Sequence, residues 1–375
     1  MGLGQPEGTA RRRQLDPHFG VLMSLMLLVG LAVACGDGAD FDAPSGEVVI
    51  YTSMPDSVVN RLAGVIERRF PALEGNYWVP LGSGITVRVV RGRTGDIQRL
   101  IADEIATGGV LADIIWLAEP SPYETYKDMG LLAQYQPPAD APIPASYIDP
   151  DGFYVAGRVI SMVIASNTAL RTEPPADWPD LHEIERTAFP GPESGAARAT
   201  ISALIAKYGP GFFDALAAAG GTSVASNGAA RDGVVAGDFE AVAVLDYMAR
   251  QARVDGESVD FAFPAGGTVL IPSPIAILAG AHNPDAAKVV VDFILSQSGQ
   301  EIVVELGSFY PARSDVAPPD GAPPLDSITA LEVDWSALAP DTAATVSYTH
   351  LTLPTAGIRG SGGGGGWEGE GGGGG

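Results

Sequence analysis

Two apolar runs constrain this chain more than any other feature. Val155–Asn167 (VAGRVISMVIASN) is β-branched, carries a single charge at Arg158 and ends in a Ser-Asn-Thr turn signal, the composition of a buried strand. Thr268–Gly280 (TVLIPSPIAILAG) repeats that character later in the chain. A series of strands alternating with helices precedes the first run, and a second series lies between the two. A chain laid out in this way crosses from one α/β lobe to another and comes back.

In the first series, Val48–Tyr51 reads as a strand, and apolar residues from Val58 to Phe70 recur at helical spacing. Ile85–Val90 reads as a second strand, Ile97–Ile105 as a helix stopped by Gly108-Gly109, Ala112–Leu117 as a third strand and Pro122–Met129 as a helix. Strand, helix, strand, helix, strand is the pattern of a doubly wound parallel sheet, in which ligands sit beyond the carboxyl ends of the strands. The loops holding Thr52 and Ser53, Arg93 and Thr94, and the segment after Leu117 are therefore the candidate polar contacts. Hydroxyls there stand at helix entrances, where backbone N–H groups favour an oxyanion. Plain helix capping uses the same residue types, and one hydroxyl can do both.

The second series repeats the arrangement. Thr187–Pro190 reads as a strand and leads through Gly191–Ala197 into an alanine-rich helix, with Ser194 at its entrance. Val224–Asn227 ends a strand before the helix Ala229–Ala236. Glu240–Leu245 is an apolar strand ending in Asp246-Tyr247, Gln251–Gly256 reads as polar, and Val259–Phe263 as a further strand. Ser194, Asn227, Asp246 and Tyr247 thus fall at strand-to-helix ends and face the first lobe across a cleft.

Composition narrows the partners. A chain of 375 residues with 46% hydrophobic content can fill two cores, and a net charge of −23 argues against binding nucleic acid. Arg11–Arg13 followed by the apolar stretch Phe19–Ala34 has the form of an export signal, too short for a comfortable membrane span. Cys35, the sole cysteine, follows Leu-Ala-Val-Ala as in a bacterial lipobox, so export with lipidation of Cys35 is expected, to the outer face of the membrane or the periplasm; an ordinary signal peptide with an incidental cysteine is the alternative. A single cysteine excludes an intramolecular disulfide. The stretch Ser347–Thr355 reads as translated adapter sequence, and the glycine tract after Gly360 cannot bury a core. The expected organisation is an export segment (1–35), a tether (36–46), a first lobe (47–154, with 281–300 returning to it), crossover hinges (155–167 and 268–280), a second lobe (168–267), a C-terminal part packing on the lobes (301–345) and a disordered or artefactual tail (346–375).

From residue 47 to 338 the chain resembles a known family. The segments TSMPD, VRGRTGD, ADIIWLAEPSPYETYKDMGLLAQYQPP, PESGAA, SNGAARDGVVAGD and TVLIPSPIAILAGAHNPDAAKVVVDFILSQSGQEIV are similar to those of the bacterial iron(III)-type solute-binding proteins of ABC importers. Relatives of these proteins take up aminoethylphosphonate, phosphate esters or polyamines. The resemblance implies a type II periplasmic binding protein fold, two α/β lobes joined by crossover hinge strands. It also implies hinge closure on a small solute, a permease and ATPase as partners, a monomer, no cofactor and no enzymatic activity. It implies anion contacts from Ser194, Gly195, Ala196 and Asn227. The family's histidine, glutamate and paired tyrosines for iron align with Pro55, near Ala118 (with Glu119 adjacent), and with Met248 and Ala249, one place after Tyr247. Direct iron binding, with Glu119 and Tyr247 as ligands, is therefore the less favoured reading. Asp246 stands where the family commonly has Asn, which suggests pairing with an ammonium group, so an aminophosphonate-like zwitterion is favoured. No GxSxG or HExxH motif occurs, in keeping with a binding protein. A ligand-sensing surface protein on the same fold is the remaining alternative.

Overall fold

The computed structural model describes residue 1 and residues 44–55, 58, 60, 62–64, 84–333 and 335. The export segment with Cys35, most of the tether, much of the helix expected over 58–70 and the tail from 346 lie outside the described residues. Strand β1 (Gly46–Thr52) pairs in parallel with β2 (Ile85–Arg91) and with β3 (Ile114–Trp116). Helix α1 (Thr94–Thr107) follows β2, and α2 (Ser121–Asp128) follows β3. This is the alternation read from the sequence, and it carries the loop ends of β1, β2 and β3 to one edge.

The run 155–167 forms one strand, β4 (Val155–Asn167), and every residue in it is buried, Arg158 included. After it come β5 (Thr187–Pro190), α3 (Gly195–Tyr208), α4 (Gly211–Ala218), β6 (Thr222–Val224), α5 (Asn227–Ala236) and β7 (Ala241–Leu245). Next are α6 (Asp246–Val254), β8 (Val259–Ala262), β9 (Leu270–Ile277), α7 (Pro284–Leu295) and α8 (Gln297–Gly307). Helix α6 begins directly at Asp246, the strand-to-helix end read from the sequence, and runs on into the stretch from Gln251 that reads only as polar. Its polar residues lie on the outer face of an amphipathic helix whose inner face buries Ala249, Arg250 and Ala252.

β4 belongs to two sheets. Val155–Ser161 pairs antiparallel with β9, which pairs antiparallel with β3, so the first sheet runs β2-β1-β3-β9-β4. Met162–Ser166 pairs antiparallel with β7, and Ile164–Asn167 pairs with β8 on the opposite edge. β7 pairs in parallel with β5, and β5 with β6. The sheets are parallel at their outer strands, as the strand–helix alternation implies, and antiparallel only where β4 and β9 meet their neighbours. At about 3.3 Å per residue β4 is long enough to serve both sheets in succession. One continuous core lies beneath them, with Trp116, Trp178, Phe189 and Phe213 among its largest buried side chains.

The register of β4 slips between Ala156 and Arg158, a bulge centred on Gly157. A Cβ at Gly157 would stand 2.7 Å from Trp116 Nε1 and 2.8 Å from its Cε2, so only glycine lets the indole pack against this backbone. Gln300 Nε2 donates to the Gly157 carbonyl at 2.9 Å and fixes the bulge from α8. Replacing Gly157 by Ala forces the buried indole to move and is expected to destabilise the protein by about 1–3 kcal/mol, read as a lower midpoint in urea denaturation.

Candidate functional site

Three helices of the second sheet begin at its loop ends, and a helix start leaves backbone N–H groups unpaired. Ser194 is the N-cap of α3, yet its hydroxyl makes no capping bond. It accepts a hydrogen bond from Asn227 Nδ2 at 2.6 Å instead. Asn227 is the first residue of α5, whose cap is Ser226, with Oγ accepting from Ala229 N. The capping role therefore falls to Ser226, and the buried Asn227 reaches sideways to Ser194. The pair leaves the Ser194 hydroxyl proton to be donated elsewhere and the Asn227 Oδ1 buried without a donor. Gly195 and Ala196 form the buried first turn of α3 beside them. Two helix N-termini, a hydroxyl and an amide thus meet at one place, a geometry suited to the oxygens of an anion.

From the first sheet, Ser53 is half-buried behind β1, and its Oγ is enclosed without a partner. Thr94 is buried at the start of α1. Thr52, also predicted as a contact, is engaged internally: its Oγ1 donates to the Trp116 carbonyl at 2.8 Å and accepts from Met54 N at 3.0 Å. This turn holds the β1 loop against β3 and leaves Thr52 fully buried inside it. Arg93 is exposed and paired with Asp96 three residues on, at 2.9 Å. The Thr52 hydroxyl is thus used within the protein, and the Arg93 guanidinium is held by Asp96.

Asp246 also differs from the expectation. Its side chain is about 1% exposed, and its Oδ2 pairs with Arg250 Nη2 at 2.7 Å, one helical turn along α6. Its Oδ1 accepts from Ser161 N of β4 at 3.1 Å. Burial raises its pKa above the ordinary carboxylate value, opposed by the Arg250 guanidinium and the Ser161 and Tyr247 amides. The carboxylate is thus matched within the protein and serves to lock α6 onto β4. Arg250 extends the lock by donating to the Ser308 carbonyl at the end of α8. Tyr247 is half-buried and its ring stands edge-on to Phe309, with centroids 4.6 Å apart. Burial pushes its phenol up to about 12, so it stays neutral near pH 7. Tyr247 lines a cavity of about 300 Å³ together with Pro55 from the β1 loop, Gly228 from α5 and Met248.

Glu119, the alternative metal ligand, is engaged twice. Its Oε2 accepts from Ser121 N at 2.8 Å at the start of α2, and its Oε1 forms a close ion pair with Arg198 of α3. This pair ties the first sheet's loops to the second sheet's helix, and Arg198 was not picked out by sequence. Gly195 permits it: a Cβ there would lie 2.5 Å from Glu119 Cγ. Among the described residues no group of three or more His, Cys, Asp or Glu side chains is placed to hold a metal ion.

Two α/β sheets sharing a strand, with helix N-termini converging between them, define a type II periplasmic binding protein fold. The same fold occurs in iron-bound HitA from Pseudomonas aeruginosa, with a TM-score of 0.69 at 20% identity over 82% of this chain and 99% of that one. It occurs in AfuA from Actinobacillus pleuropneumoniae, solved with fructose-6-phosphate bound, with a TM-score of 0.70 at 20% identity over 82% of this chain and 98% of that one. The family model described as bacterial extracellular solute-binding protein matches residues 110–339, and the chain belongs to that family. A protein from Salmonella paratyphi A, provisionally named as 2-aminoethylphosphonate-binding and periplasmic, is 27% identical over 293 residues, 72% of this chain and 83% of its own length. A Salmonella typhimurium protein of the same name matches over the same shares. These relatives are binding proteins and not enzymes.

Removing one member of a buried ion pair leaves the other charge uncompensated. Arg198→Met is therefore expected to lower stability by about 2–4 kcal/mol, and adding Glu119→Gln should recover part of that loss. A double-mutant cycle followed by urea denaturation measures the coupling.

Proposed function

We propose that this protein is the exported solute-binding component of an ABC importer. It is held to the outer face of the membrane by a lipid on Cys35 and delivers a small organic phosphonate or phosphate to a permease and its ATPase. The observation that carries this reading is the Ser194–Asn227 pair at the starts of α3 and α5. The 2.6 Å bond between them turns the hydroxyl proton outward beside the free amides of Gly195 and Ala196. These are neutral donors of the kind that favour an oxyanion. Ser53 and Thr94 complete the contacts from the first sheet, and Tyr247 lines the adjoining cavity. The names of the Salmonella relatives make 2-aminoethylphosphonate the first solute to test.

Closure follows from the strand arrangement. β4 and the segment 268–280 act as the hinge, and a solute bonded to both sheets favours the closed form by its differential affinity for it. The amino group of a zwitterion has a neutral acceptor in Asn227 Oδ1, which takes the place of Asp246 in this account. Direct iron binding is the weaker reading, because the Glu119 carboxylate is already held by Arg198 and the Ser121 amide.

A solute at about 100 times its Kd should stabilise the full chain by about 2.7 kcal/mol. In a thermal-shift screen 2-aminoethylphosphonate is expected to raise the Tm and ferric citrate is not. A shift with ferric citrate alone contradicts the proposal. Ser194→Ala should weaken phosphonate binding by about tenfold, and Asn227→Asp, which sets a carboxylate against the anion, by more, both measured by titration calorimetry.

A further inference from the structure

A buried charge that has no partner carries more information than any other group in this protein. Two arginines are nearly inaccessible, Arg158 and Arg250, each about 3% exposed. Arg250 is matched by Asp246 at 2.7 Å. Arg158 forms no ion pair with any described residue. Its Nε donates to Ser273 Oγ of β9 at 3.3 Å, and its guanidinium lies over the Phe309 ring at 4.0 Å. Its Nη1 is enclosed with no hydrogen-bond partner.

The contacts of Arg158 lead to residues at the loop ends of both sheets. Ser273 Oγ in turn donates to the carbonyl of Ala118, the residue before Glu119. Phe309 carries the Tyr247 ring on its other contact. Asp246 acts on Arg158 through its charge without bonding to it, and burial lowers the guanidinium to about 10, which leaves it cationic near neutrality. Ser161, three residues along β4, gives its amide to Asp246 and leaves its own Oγ enclosed without a partner. The backbone is shaped for this placement. The bulge at Gly157, pinned by Trp116 and Gln300, immediately precedes Arg158, and bulges re-aim the side chains that follow them.

Charge accounting around Arg158 points one way. Asp246 is paired with Arg250 and Glu119 with Arg198, and of the two buried arginines Arg158 alone is left without a carboxylate among the described residues. Keeping a lone guanidinium out of water costs several kcal/mol, and the desolvated cation regains that when an anion arrives. We infer that Arg158 is a solute-binding residue, whose free Nη1 takes an oxyanion oxygen of the solute and supplies the full positive charge that the hydroxyls and helix N-termini lack. Resting on the function proposed above, this narrows the solute to one bearing a net anionic phosphonate, phosphate or carboxylate group and disfavours purely cationic solutes such as polyamines.

The test compares wild-type full chain with Arg158→Met and Arg158→Lys, using 2-aminoethylphosphonate, inorganic phosphate and ethanolamine as probes. Wild type should bind the two anions and not ethanolamine. Arg158→Met, which keeps the packing over Phe309 and removes an unpaired charge, should melt at the same or a higher temperature without solute and lose anion affinity on the order of 100-fold. Arg158→Lys should retain part of it. A lower Tm for Arg158→Met with unchanged anion affinity makes Arg158 a structural strut and overturns the inference while the proposed function stands. Wild type that binds neither anion, or binds ethanolamine equally well, overturns both.

Discussion

Strand β4 hydrogen-bonds into two sheets at once, and the rest of the molecule is arranged by that constraint. Its first half is paired by β9 and its second by β7 and β8, so neither sheet is complete without it. The loop ends of β1, β2 and β3 and the helix starts after β5, β6 and β7 are therefore brought to the same gap. A strand that must be buried along its whole length admits few polar side chains. Those it does admit, Arg158, Ser161, Ser166 and Asn167, need a reason to be there. Asn167 has one, because its amide donates to the Val234 carbonyl at 2.8 Å and its Oδ1 accepts from Ala169 N at 2.9 Å. Arg158 has one only when an anion is counted.

The charges around the gap fall into two kinds. Pairs closed within the protein, Asp246–Arg250 and Glu119–Arg198, hold elements together: α6 onto β4 and α8, and the β3 loop onto α3. The groups left open include the donors Ser53 Oγ, Ser194 Oγ, the amides at the start of α3 and Arg158, together with one neutral acceptor, Asn227 Oδ1. A surface strongly acidic overall thus encloses a site that is short of negative charge. The overall charge of −23 reports on solubility and not on the solute, since a desolvated site is governed by its immediate neighbours.

Much of this was legible in the sequence, and what was not has physical causes. Ser194 and Asn227 stand where strand gives way to helix, and the residue types that suit a helix entrance announce themselves locally. Thr52 has the same signature, but its hydroxyl closes a turn with Trp116, which is 64 residues away. Asp246 stands at the same kind of strand-to-helix end, and the Asn common at that place in the family suggests a carboxylate open to the solute. Once helix α6 is recognised, Arg250 falls one turn from Asp246 and the pairing follows. The Glu119–Arg198 pair spans 79 residues and leaves no local trace. Arg158 was visible as the one charge in an apolar run. Its meaning depends on the Gly157 bulge and on the missing carboxylate, and both belong to the tertiary structure.

The account's central claim is that an oxyanion is held where α3 and α5 begin, facing β1 and α1. A crystal structure of the full chain with 2-aminoethylphosphonate tests it most directly. The prediction is phosphonate oxygens within hydrogen-bonding distance of Ser194 Oγ and the Gly195 and Ala196 amides. A phosphonate bound away from those groups, or a ferric ion held by Glu119 and Tyr247 in its place, would contradict it.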